Sequence, residues 1–209
     1  VSGLADHDQE AYLDCPLHNP ERFDSKLRRQ AGSKRNDEIR LLLLHHLDLV
    51  ITQLEGAMGI KLTDQAVESM LLDFIKRAGW EYKAISLYNL HLGFAYMTEA
   101  KDLFGCRVTD TNMALQIKSK SEGFETTSNG LIFRRRDVKG TKLRLYFNNH
   151  QIDNGHPAKE SVNVEIVELK GATLKPKTIF TKTISFSGTL FFNMLMRWER
   201  LRVIASDHL

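Results

Sequence analysis

Thr141-Lys142-Leu143-Arg144-Leu145-Tyr146-Phe147 sets apolar side chains at alternate positions. Val162-Asn163-Val164-Glu165-Ile166 does the same, and Val167-Glu168-Leu169-Lys170 prolongs it. In an extended chain successive side chains point to opposite faces, so a period of two predicts strands buried on one side. Leu131 with Phe133, and Phe180, Ile184 and Phe186 on a Thr-rich run, continue the pattern. Met113, Leu115 and Ile117 read as its first strand. Turn signals separate the runs: Ser128-Asn129-Gly130, Lys139-Gly140, Asp153-Asn154-Gly155 and Lys170-Gly171. Short strands joined in this way predict an antiparallel meander of about five or six strands.

Upstream the period changes to that of a helix. Ile39, Leu42, Leu43, Leu47, Val50, Ile51 and Leu54 mark one stripe over 37–56, with His46 on it as a core or interface histidine. Asn36 or Asp37 is placed to cap it, and Gly56 and Gly59 to end it. Leu41, Leu44 and Leu49 widen the apolar surface, which suits burial on two sides or a helix from another chain. A second helix is predicted over 63–78, capped by Thr63 and closed by a left-handed Gly79. Two such helices on a short link pack antiparallel. The aromatic-rich segment 80–106 is read as strands at 83–88 and 92–97 and a short helix over Glu99–Phe104. A closing helix is predicted near 189–204, burying Leu190, Phe191, Met194, Leu195, Trp198 and Leu201. The fold class is therefore α+β: a helix pair (37–79), an antiparallel sheet, and a C-terminal helix packed on the sheet, the last two within 107–205. Residues 37–209 form one domain. Residues 1–36 read as an irregular arm, punctuated by Pro16 and Pro20, with Arg22, Lys26, Arg28, Arg29, Lys34 and Arg35 as a basic stretch.

Composition narrows the classes. The chain has 209 residues, 42% hydrophobic and 26% charged, which excludes collagen-like, mucin-like and broadly disordered chains. Lys plus Arg is 29 against 26 Asp plus Glu, a net charge of +3, so any nucleic-acid contact must come from a local patch. Two cysteines far apart, Cys15 and Cys106, fit a reducing compartment. The opening residues Val1–Asp8 carry no apolar leader. The densest apolar run, Ile39–Leu54, is interrupted by Arg40, His45, His46 and Asp48 and is too short to span a bilayer. The expectation is a soluble, intracellular protein, cytoplasmic or nuclear, with no membrane partner. No G-x-S-x-G, phosphate-binding loop or dinucleotide fingerprint is present.

Two candidate sites follow from the strands. If Phe133 pairs with Leu145, Arg134 stands opposite Arg144 and Arg136 opposite Lys142, with Tyr146 on the same face. Like charges facing each other repel unless an anion bridges them, and an aromatic beside them suits a base or sugar. This set, Arg134, Arg136, Lys142, Arg144 and Tyr146, predicts contact with DNA or RNA. Asn163 and Glu165 would neutralise part of it if they share that face.

The second site is Glu168 and Lys170, at the end of the apolar face formed by Val162, Val164 and Ile166. Two charges there must pair or bind something. Glu168-Leu169-Lys170 resembles the Glu-x-Lys strand motif of the PD-(D/E)XK nuclease superfamily. The resemblance covers about ten residues and implies that Glu168 and an Asp hold Mg²⁺ while Lys170 polarises the attacking water. Asp153 or Asp137 would supply the second carboxylate. The sequence lacks the family's Pro-Asp pair, and no strand follows the next helix, as that fold requires. His150, Asp153 and His156, and Cys15 with His18, are weaker metal candidates, better read as a solvated turn and an incomplete zinc pair.

Three functions are expected in order: nucleic-acid binding through the basic sheet face, an assembly module that self-associates through helix 37–56, and a Mg²⁺-dependent nuclease.

Overall fold

A computed structural model describes residues 31–82, 85–151, 160–171 and 176–208. Helix α1 (Lys34–Met58) starts where the Ser33 hydroxyl accepts the Asn36 N–H, so the cap lies before Asn36 and the helix takes in Lys34 and Arg35 from the expected arm. Gly56 lies inside it. It stops at Gly59, whose φ of 78° turns the chain left-handed while its N–H bonds back to Glu55. The helix is kinked at His46, where φ is −140°. Strand β1 (Ile60–Lys61) and helix α2 (Asp64–Lys76) follow, α2 being capped by Thr63 as predicted. The left-handed residue after α2 is Ala78, not Gly79. Gly79 is required for a different reason: a side chain there would strike the Phe74 ring.

The aromatic-rich segment departs from its reading. Residues 90–96 are helix α3 (Leu90–Tyr96), and 101–102 are strand β2 (Lys101–Asp102) where a helix was expected. Of the other expected strand, residues 83–84 lie outside the described residues and 85–88 form a turn. Leu90, His91, Leu92, Gly93, Phe94 and Ala95 are all buried, and a segment enclosed on every side carries no amphipathic period. Strand β3 (Arg107–Val108) leads to helix α4 (Thr111–Lys120), which replaces the strand expected at Met113–Ile117. Asp110 caps α4 through the Met113 N–H at 3.1 Å.

The remaining strands are β4 (Phe124–Thr126), β5 (Ile132–Arg134), β6 (Thr141–Gln151), β7 (Glu160–Lys170) and β8 (Lys177–Phe186), before helix α5 (Gly188–His208). All pairing is antiparallel. β6, β7 and β8 form the meander, extended by β2 to give the order β2-β6-β7-β8; β1 pairs with β3 and β4 with β5. The molecule is α+β, as its periodicities predicted.

Leu143, Leu145 and Phe147 on β6, Val162, Val164 and Ile166 on β7, and Ile184 on β8 are buried on one face of the sheet. Helices α1, α3 and α4 cover that face with Val50, Leu54, Leu90, Phe94, Met113 and Ile117, and all belong to one continuous core. Each such side chain contributes about 1.5–3 kcal/mol on leaving water, so the meander and the three helices stabilise each other.

Helix α5 corrects the last expectation. Phe191 and Leu195 are buried, but Leu190, Met194, Trp198 and Leu201 are exposed. The helix meets the body along a narrow stripe. Phe191 stacks on His91 at 4.3 Å, Phe192 on Tyr88 at 4.6 Å, and Trp198 lies edge-on to His46 at 5.9 Å. The stripe ends where His46 Nε2 meets Glu199 Oε1 at 2.5 Å. Residues 201–208 are exposed throughout. No helix among the described residues is long and apolar enough to cross a membrane.

Candidate nucleic-acid interface

The proposed pairing of β5 with β6 does not form. β5 pairs with β4, with Arg134 opposite Phe124, while β6 lies between β2 and β7. Arg134 therefore does not oppose Arg144, nor Arg136 Lys142. The Ser128-Asn129-Gly130 turn closes the β4–β5 hairpin instead, with the Gly130 N–H on the Thr127 carbonyl at 3.0 Å.

On the outer face of β6, Lys142 stands opposite Leu169, Arg144 opposite Val167 and Tyr146 opposite Glu165. Glu165 does share the face with them. Its carboxylate accepts Asn148 Nδ2 at 2.9 Å and Thr178 Oγ1 at 2.9 Å, so it sits within a polar ladder across three strands. Arg144 also lines a shallow pocket of about 290 Å³ beside Lys101, Asp102 and Phe104. The Lys101 ammonium is buried and bound to Asp73 and Ser69.

The arginine run still reaches β6, by another route. Arg134 Nη2 donates to the Thr141 carbonyl at 3.0 Å, with its guanidinium over the Phe124 ring at 5.5 Å. Arg135 donates to the Phe124 and Lys118 carbonyls at 3.2 and 2.9 Å, so this cation ties the β4–β5 hairpin to the end of α4. Arg136 and Asp137 are exposed in the turn that follows. Thr141 in turn pairs with Lys170 across β6 and β7, and Glu168 pairs with Lys177 across β7 and β8. One end of the sheet therefore gathers Arg134, Arg136, Lys139, Lys142, Lys170 and Lys177, with Lys118 and Lys120 at the last turn of α4; all are exposed. Two acids lie among them: Asp137, exposed in the turn between Arg136 and Lys139, and Glu122, bonded to Lys170 at 3.0 Å and Lys177 at 3.4 Å. Those ammonium groups, Lys170 first, hold the Glu122 carboxyl below the usual range.

Sequence reasoning found Arg134, Arg136 and Lys142 but missed Lys118, Lys120, Lys139 and Lys177, and treated Lys170 as catalytic. The missed cations are scattered over some sixty positions; the β6–β7–β8 register places Lys177 beside Lys170, and the bonds of Arg135 to Lys118 and of Glu168 to Ser121 bring the end of α4 to them. The recurrence of lysine at strand and helix ends was the available signal.

Glu168 occupies the apolar face, as its alternation predicted, and is 5% exposed. Its carboxylate accepts the Ser121 hydroxyl at 2.8 Å and the Glu122 and Gly123 N–H groups at 2.9 and 2.7 Å. These three donors, two on Oε1 and one on Oε2, fix the turn after α4 and take most of the carboxylate's acceptor capacity. Lys170 is bonded to Glu122 rather than to Glu168. Asp137 is solvent-facing, and Asp153 lies outside the described residues, as do Cys15, His18 and His156. His150 stands beside the Tyr96 ring at 5.1 Å. Among the described residues no group of three or more His, Cys, Asp or Glu side chains is placed to hold a metal.

No protein-family model, no curated protein and no solved structure matches this chain.

Proposed function

We propose that the protein binds nucleic acid through the basic end of its sheet. The observation that carries this reading is the convergence of exposed cations from α4, the β5–β6 turn and strands β6, β7 and β8 on one end, with Glu122 paired to two of them. Cations at that density repel one another, and a run of phosphates relieves the repulsion while releasing condensed counterions. Arg136 extends from a turn and Lys142 from the start of β6, and both suit backbone contact, which fixes position without reading sequence. Arg144 and Tyr146 lie further along the outer face of β6, where a strand leaving the basic end would pass a guanidinium and a ring able to stack on a base.

The test is fluorescence-anisotropy titration of labelled single- and double-stranded DNA and RNA at two salt concentrations. Affinity should fall with salt with a log–log slope of about 0.7–0.9 per phosphate contacted. Arg136→Ala with Lys142→Ala should weaken binding and flatten that slope by about two contacts. Absence of salt-sensitive binding at low ionic strength would sink the proposal. A parallel Mg²⁺ series run on a gel separates binding from cleavage.

A further inference from the structure

Phe104 is 57% exposed, yet the turn that carries it is held in place. Its N–H donates to Asp102 Oδ1 at 2.9 Å. Before it, the Leu103 N–H donates to the Leu143 carbonyl of β6 at 3.0 Å. After it, the Gly105 N–H donates to the Ile132 carbonyl of β5 at 3.0 Å. The ring is thus presented on a pinned turn between the strands that carry Arg134, Lys142 and Arg144. A lone exposed apolar side chain is ordinary. This one borders the pocket of about 290 Å³ that opens between α2, β2 and β6.

The pocket differs in charge from its surroundings. Lys101 lies in its wall but is neutralised by Asp73. Arg144 is matched by Asp102, its opposite residue in the β2–β6 register. A phosphate gains little from so balanced a lining. A neutral, planar, polar group gains more. Ser69 Oγ accepts the Lys101 ammonium at 2.8 Å, which leaves the hydroxyl proton to donate into the pocket. Gln65 is exposed at the rim, and its amide both donates and accepts. The volume stands at the small end of ligand pockets, which begin near about 300 Å³, and suits one such group. A ring to stack on, with donors and acceptors beside it, is what a nucleobase requires. Bases in a duplex keep their faces covered, so only an unpaired base can enter. Lys142 and Arg144 stand about 7 Å apart along the outer face of β6, a step that one unstacked nucleotide covers.

We propose that this pocket takes one unpaired base of a single-stranded nucleic acid, stacked on Phe104, while the adjoining phosphates lie along Lys142 towards the basic end. This rests on the nucleic-acid reading above and narrows its substrate class to single strands.

The experiment uses the full chain, with Phe104→Ala and Phe104→Trp variants. The probes are a labelled single strand, an abasic strand of the same length, a duplex and a mononucleotide. Phe104→Ala should weaken single-strand binding about 5- to 150-fold. Its salt slope and its duplex affinity should stay as in the wild type, because no phosphate contact is removed. Phe104→Trp should keep the affinity, and its added fluorescence should be quenched by the single strand but not by the abasic one. Circular dichroism and melting of each variant separate loss of stacking from loss of fold. If the wild type binds and Phe104→Ala binds single strands equally well, the pocket assignment is overturned while the basic end stands. Equal losses on single strand and duplex overturn it too, since the ring would then serve as a wedge in paired DNA. A mononucleotide that binds as tightly as the strand overturns it in favour of a free-nucleotide site. A wild type that binds no nucleic acid at low salt overturns both readings.

Discussion

The Glu168 carboxylate accepts the Ser121 hydroxyl at 2.8 Å, joining β7 to the end of α4 across 47 positions of sequence. Gly123 N–H donates to the same oxygen at 2.7 Å, and Glu122 N–H to the other at 2.9 Å. A buried carboxylate so held is structural, since each donor would otherwise be unsatisfied away from water. Glu168→Ala should lower stability by about 3 kcal/mol, read as a lower urea midpoint with an unchanged slope. Mg²⁺ should leave the wild-type midpoint where it is. A magnesium-dependent rise lost in the variant would show the carboxylate serving a metal.

His91 is buried on α3 against Phe191, and burial pushes its pKa down from 6.5 to about 2. The unfolded chain therefore binds the proton more readily than the native one. This contribution to stability is full above about pH 6.5 and is lost as pH falls from there towards about 2. The expected loss is roughly 1 kcal/mol per pH unit within that window. His91→Gln should flatten the acid limb of the stability–pH curve; an equally steep limb would move the effect to other groups.

Asp110 caps α4 and bonds Lys182 Nζ of β8 at 3.0 Å. The Met113 N–H first, then the lysine, hold its carboxyl below the ordinary range. Asp110→Asn keeps a cap and loses the charge pair, whereas Asp110→Ala loses both. The alanine variant should be less stable by about 1–2 kcal/mol and the asparagine variant by less. Equal losses in thermal melts would refute the capping role.

Gly130 holds a φ of 83° in the β4–β5 turn, and an added Cβ would strike the Val108 carbonyl oxygen. Its own carbonyl accepts the Val108 N–H at 2.8 Å, so the turn cannot shift without breaking that bond. Gly130→Ala should cost more than about 1 kcal/mol, from both left-handed strain and the clash. Gly140, with a φ of 73° and open space around it, should lose less on the same change. Matched denaturation curves of the two variants test this ranking.

The sheet could be read from sequence wherever one face was dry and the other wet. Leu143, Leu145 and Phe147 alternate with Lys142, Arg144 and Tyr146 because the core lies on one side only. The same rule placed Glu168 among apolar residues. It misled at Met113, Leu115 and Ile117, where Leu115 is 64% exposed and the buried pair is one helical turn apart. Two apolar positions four apart fit either period, and the deciding signal was Asp110, a cap. The β5–β6 pairing failed because Ser128-Asn129-Gly130 closed its hairpin first and left Lys139-Gly140 as a connection. On α5 apolar residues surround the axis, so no pattern distinguishes the covered stripe from the open one. The basic end depended on register between strands, which no local window contains.

The bond between His46 and Glu199 joins residues 153 positions apart, whereas β6 pairs with β7 and β7 with β8, each the next strand in the chain. Bringing distant segments together costs more chain entropy than pairing neighbours. The meander is thus the part of the molecule able to form early, and the seam between α1 and α5 closes late and opens first. A chain whose seam is open exposes the Phe191 and Leu195 face of α5 along with the face already bare. A helix released in this way is free to lie against the α1 of a neighbouring molecule instead of its own, which makes the order of folding a determinant of whether segments are exchanged between chains.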